Sequence, residues 1–132
     1  MTLQLAVATR NALTAQMVTD FAGGSLKLFS GAVTANCAAA DPTGLLATAA
    51  TLPSPALTST NGVTAKAGTW TATGSAAGTA LSFRVYNAGA TCVAQGTASA
   101  TGGGGDMTLD NAVIANAQVI TVVTFAVTAG NA

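Results

Sequence analysis

The sequence predicts an all-β fold, a single β-sandwich or jelly-roll-like domain with one short N-terminal helix. Three observations lead there. Seven or eight short runs of strand-type alternation follow one another at intervals of roughly 8 to 15 residues, as in sandwiches and jelly rolls. Gly, Pro, Asn and Asp separate them at turn positions. One segment, residues 10–22, carries helical periodicity instead. At 132 residues the chain is one domain long, and a chain of that size buries about two thirds of the surface it exposes when unfolded.

Residues 1–9 read as an extended N-terminal arm ahead of a domain spanning 10–132. Met1-Thr2-Leu3-Gln4-Leu5 lacks the Lys or Arg that opens a secretory signal, and Arg10 follows the apolar stretch. Synthesis in the cytoplasm is therefore expected. Leu13, Met17 and Phe21 recur at four-residue spacing between Thr9, suited to an N-cap, and Gly23-Gly24, suited to a stop. The strands follow. Ser25–Ser30 alternates, and Asp41-Pro42-Thr43-Gly44 turns the chain into Leu45–Leu52. Pro53 and Pro55 demote the next segment to an edge, since proline cannot donate to a ladder. Asn61-Gly62 is a hairpin signal, leading into Val63–Ala67 and, past Gly68, Thr69–Thr73 with Trp70 as anchor. Leu81–Tyr86 reads as a half-buried strand, Thr91–Ala98 as its neighbour and Met107–Leu109 as a short strand after Gly102–Gly105. Gln118–Thr128 is apolar on both faces and belongs in a central position, because an exposed edge of that composition templates aggregation. The two-residue periodicity assigns Leu81, Phe83, Val85, Val119, Val123, Phe125 and Val127 to the core. No stretch has the roughly 18 consecutive apolar residues of a membrane helix.

Composition excludes much chemistry. Ala (31), Thr (22) and Gly (15) make up half of the chain, and only eight residues are charged: Arg10, Lys27, Lys66 and Arg84 against Asp20, Asp41, Asp106 and Asp110. Without His or Glu, the usual acid–base groups and metal ligands are missing, and no cofactor, metal or small-molecule substrate is expected. Four scattered cations make no nucleic-acid surface. Soluble domains are usually about a quarter charged, against 6% here, which suits a protein packed in a large assembly.

The remaining candidates have plain readings. Cys37 and Cys92 could pair, within the chain or between copies, but cytoplasmic synthesis favours free thiols; without a His neither is a nucleophile. Gly102–Asp110 lacks the following helix and the lysine of a phosphate loop, and Asp106 with Asp110 supplies only part of a calcium site. Ser25 and Lys27 share a strand face by alternation alone. Trp70 and Tyr86 could stack a sugar, yet lack accompanying carboxylates or amides.

Leu26-Lys27-Leu28-Phe29-Ser30-Gly31, Thr43-Gly44-Leu45-Leu46-Ala47-Thr48, Ser82-Phe83-Arg84-Val85, Gly105-Asp106-Met107-Thr108-Leu109 and Val122–Thr128 occur in this order behind a helical segment. This pattern, over residues 10–128, resembles small structural proteins of tailed bacteriophages and prophages, most of all head decoration (capsid cement) proteins. The resemblance implies a protein of the virion exterior that bridges major capsid protein subunits and contacts neighbouring copies of itself, without catalysis. The other reading is a phage tail or fibre domain that binds a receptor or glycan through Trp70, Tyr86 and the loops. For the first, the expected partner interface is the uncharged arm, Met1, Thr2, Leu3, Gln4, Leu5, Ala6, Val7 and Ala8.

Overall fold

The computed structural model describes residues 3–129; Met1 and Thr2 of the expected arm lie outside them. The elements are α1 (Val7–Phe21), β1 (Ser25–Phe29), β2 (Leu45–Ala49), β3 (Leu57–Thr60), β4 (Val63–Lys66), β5 (Thr71–Gly74), β6 (Gly78–Thr79), β7 (Ser82–Tyr86), β8 (Cys92–Ala100), β9 (Met107–Leu109), β10 (Val113–Ile114) and β11 (Val119–Thr128). The fold is all-β with one helix, as the alternation predicts, but it is a barrel and not a sandwich. Strands β11, β5, β2, β1, β7, β8 and β9 follow one another, and β9 pairs back onto β11, closing seven strands into a ring. Inward–outward alternation is the same in both architectures; only the β9–β11 pairing separates them. The length of β11 makes that closure possible. Its ten residues pair with β5 through 119–121, with β9 through 122–125 and with β4 through 126–128.

All pairings are antiparallel except β8–β9, where Ala98 faces Met107. A parallel return normally needs a crossover of a dozen residues or more; residues 101–106 make it in six because the chain folds tightly on itself. Gly102 and Gly104 have φ of +85° and +81°, and a Cβ on Gly105 would lie 2.8 Å from the Ser99 backbone nitrogen. The glycine run is thus a structural requirement of the return. Asn61 and Gly62, with φ of 51° and 78°, form the tight turn between β3 and β4.

The helix begins three residues earlier than expected. Ala6 is its N-cap and makes no side-chain capping bond, so Thr9 lies inside the helix, and Val7 and Ala8 belong to α1 and not to an arm. The buried helix positions are Arg10, Thr14 and Phe21, whereas Leu13 is exposed. Phe21 enters the barrel core, where its ring lies 6.2 Å from Trp70 and 5.8 Å from Phe125. Phe125 also lies 5.7 Å from Trp70 and meets Phe83 edge-on at 5.6 Å. Leu26, Leu28, Val85, Met107, Leu109, Ile120 and Val122 fill the rest of the interior.

Three of the seven expected core residues are outside it. Leu81 precedes β7 and is exposed; Val119 and Val123 are 61% and 41% exposed. A β-bulge in β11 causes the error there. Val122 faces Leu109 and Thr124 faces Thr108, leaving Val123 as the extra residue. Ile120 and Val122 point inward before the bulge and Phe125 after it, so one uninterrupted period mispredicts Val119 and Val123.

Candidate functional site

β7 was expected to be half-buried, yet all five of its residues are buried. Phe83 and Val85 face the core. On the outer side Ser82, Arg84 and Tyr86 are covered by the loop of residues 30–44 between β1 and β2, and each hydrogen-bonds to it. Ser82 Oγ donates to the Gly31 carbonyl at 2.7 Å. Arg84, 2% exposed, uses all five guanidinium hydrogens: Nε donates to Gln95 Oε1, Nη1 to the Ala39 carbonyl and Asp41 Oδ1, and Nη2 to Thr34 Oγ1 and the Asn36 carbonyl, at 2.6–3.1 Å. Gln95 Nε2 adds a 2.7 Å bond to the Thr34 carbonyl. The planar fork of arginine suits this divergent set of acceptors, which one lysine ammonium could not reach.

Asp41 is the anionic partner. It accepts the Tyr86 hydroxyl at 2.6 Å and lies 3.6 Å from Lys27, whose Nζ sits 4.9 Å from the Tyr86 ring centroid. The Tyr86 hydroxyl chiefly, with Lys27 and Arg84, holds the Asp41 carboxyl below its ordinary value against a burial that pushes it up. Burial first, then Asp41, raises the Tyr86 phenol well above 10. A carboxylate locked ionised and a phenol locked protonated make a structural cluster, not an acid–base pair.

Cys37 and Cys92 form a disulfide, with Cα atoms 5.4 Å apart, which corrects the expectation of free thiols. The loop carries Cys37 across β8 onto Cys92, and 55 residues of separation hide that proximity in the sequence. The loop is therefore held by a cross-link, by Arg84 and by Gln95.

The other candidates resolve into hydrogen-bond roles. Asp106 Oδ2 accepts the Thr97 amide and hydroxyl, and Asp110 Oδ1 accepts the Thr121 amide. Among the described residues no three His, Cys, Asp or Glu gather into a metal-binding group. Trp70 is fully buried, its Nε1 donating to the Ala56 and Ala67 carbonyls, so it offers no stacking platform, and Tyr86 is buried beneath the loop. No described helix is long and apolar enough to cross a membrane. The remaining charges also have partners in the chain: Arg10 Nε on the Ala129 carbonyl, Asp20 on Gln16 and Lys66 on the Gly68 carbonyl. All eight charged side chains are thus engaged internally.

Apart from the exposed Asp106 and Asp110, most of what faces outward is uncharged. Leu3 is 72% exposed. Val7 is 51% exposed, although it lies on the helical face that buries Thr14 and Phe21 further along. Of the expected interface, Leu3–Ala8 lies here, while Met1 and Thr2 fall outside the described residues. Sequence reasoning missed the Arg84 hub. Its one signal is an arginine between the core residues Phe83 and Val85 in a chain with only four cations. Comparison with protein-family models, curated proteins and solved structures finds no match to this chain.

Proposed function

We propose that the protein is a virion structural protein that decorates the exterior of a tailed-phage capsid, bridging major capsid protein subunits and contacting neighbouring copies of itself, with no catalytic role. The observation that carries this reading is the scarcity of charge: only eight charged side chains, each with a partner inside the chain. A surface so poor in charge recognises partners chiefly through apolar and backbone contacts, and it suits a fixed place in a lattice better than free diffusion. The disulfide supports it, because virion surfaces lie outside the reducing cytoplasm. The resemblance of the strand motifs to phage decoration proteins adds to the case. The contact is the arm, Met1–Ala6, together with the exposed start of α1, Val7 and Ala8. The glycan-binding alternative loses its platform with the burial of Trp70.

Deleting residues 1–5 spares the N-cap Ala6, whose carbonyl accepts the Arg10 amide, and tests the contact. Undecorated heads mixed with the truncated protein should show at least a tenfold loss of occupancy by electron microscopy, with the melting temperature of the free protein unchanged. Full occupancy with undiminished particle stability would overturn the assignment of the arm.

A further inference from the structure

Asn61-Gly62 is the one Asn-Gly pair in the sequence. Such a pair is the most prone of all to spontaneous deamidation, because glycine puts no side chain in the way of its own backbone nitrogen. The fold holds that nitrogen. The Gly62 amide donates to Asn11 Oδ1 of α1 at 2.7 Å, across 51 positions of sequence. The Gly62 carbonyl accepts the Ala129 amide at 2.8 Å, and the Arg10 side chain lies so close that a Cβ on Gly62 would fall 2.7 Å from the Arg10 Cβ. Gly62 is buried, whereas Asn61, in the left-handed region at φ 51°, is exposed. Water thus reaches Asn61, while the nitrogen that would attack it is tied down.

We infer that Asn61 is a latent self-modification site and that Asn11 guards it. The step needs no enzyme. The Gly62 nitrogen gives its proton to hydroxide and bonds to Asn61 Cγ; the bond from Cγ to the side-chain nitrogen breaks, and that nitrogen leaves as ammonia after taking a proton from water. The five-membered imide then adds water across either of its two C–N bonds, leaving aspartate or isoaspartate at position 61. While Asn11 Oδ1 accepts the Gly62 hydrogen, the bond favours the protonated amide and keeps the peptide plane from turning its nitrogen onto Cγ. The step opens when α1 lifts from the β3–β4 turn, so the modification is a one-way record of that undocking. Either product puts a carboxylate where a neutral amide stood, in a chain of net charge zero. Isoaspartate also lengthens the backbone inside a tight turn that fixes the register of β3 on β4.

Incubation of the full chain at mildly alkaline pH, followed by ion-exchange chromatography and peptide mapping by mass, tests this. Asn61 should deamidate at least tenfold more slowly in the folded wild type than in the same chain unfolded in guanidinium chloride. Asn11→Ala, at an exposed helix position where alanine is favourable, should speed loss of the Asn61 amide at least fivefold. Asn11→Asp keeps an oxygen for the Gly62 amide and should stay within twofold of the wild type. A folded wild type as reactive as the unfolded chain, an Asn11→Ala no faster than the wild type, or an Asn11→Asp as fast as Asn11→Ala overturns the inference. If Asn11→Ala lowers the melting temperature, the wild type in sub-denaturing guanidinium decides. Deamidation there should rise in proportion to amide exchange at Gly62, and a rise that follows exchange of the barrel strands instead refutes the guard.

Discussion

Phe125 stands at the centre of the aromatic cluster, because its ring meets those of Phe21, Trp70 and Phe83 and so ties α1, β7 and the segment just before β5 to β11. In a chain whose apolar content is mostly alanine, nothing nearby can expand to fill its place. Phe125→Ala is expected to cost about 3 to 5 kcal/mol, measured by denaturant titration; an unchanged midpoint would refute the burial. The cluster under the loop gives a second residue-scale expectation. The folded protein holds Tyr86 protonated beyond its ordinary value near 10. The unfolded chain therefore releases that proton first, and stability falls as pH rises from about 10 upward. Tyr86→Phe should lack that alkaline fall. Asp41 acts at the other end. Its carboxyl titrates below the ordinary value when folded, so its contribution is complete above about pH 4 and disappears as pH falls through the lower folded value.

At the scale of elements, the loop of residues 30–44 and strand β11 depart most from simple expectation. The loop adds a layer outside the barrel wall, fixed by Arg84 and by the disulfide. Replacing both Cys37 and Cys92 by Ala should destabilise the protein by up to about 4 kcal/mol, the chain-entropy value for closing a loop of this size. Amide exchange over residues 31–44 should accelerate while the barrel strands stay protected, because the five Arg84 bonds still hold the loop. Equal stability of the double variant would mean that the side-chain bonds of Ser82, Arg84, Tyr86 and Gln95 anchor it without the cross-link. β11 was legible as a central strand, since an all-apolar run needs partners on both sides. Its inward and outward faces were not, because the bulge reverses the phase at Val123, and nothing in Val122-Val123-Thr124 marks a bulge.

Across the whole molecule, four cations and four anions make a sparse and balanced charge that gives ionic strength little to screen. Raising salt from about 0.1 to 1 M shortens the Debye length from about 10 to 3 Å, and self-association and head binding should both change less than twofold over that range. A steep loss with salt would point to charge-driven recognition and against the proposed partners. The closed ring also limits aggregation, because among the described residues the edges left are the four-residue β3, preceded by Pro53 and Pro55, and the two-residue strands β6 and β10.

Alternation, turn residues and composition determined by themselves that this chain is an all-β domain with one N-terminal helix, where most strands lie, that Asn61-Gly62 is a hairpin and that the surface is nearly uncharged. These properties are local, set by the two-residue period of strands and by residues that tolerate particular turns. Tertiary structure alone decided the rest: closure of the barrel by β9 against β11, the Cys37–Cys92 cross-link, the five-bond seat of Arg84 and the outward turn of Val119 and Val123. Each depends on segments distant in sequence meeting in space, or on one residue slipping the ladder by a place. A pattern of polar and apolar residues records which side chains avoid water, but not which strand lies beside which.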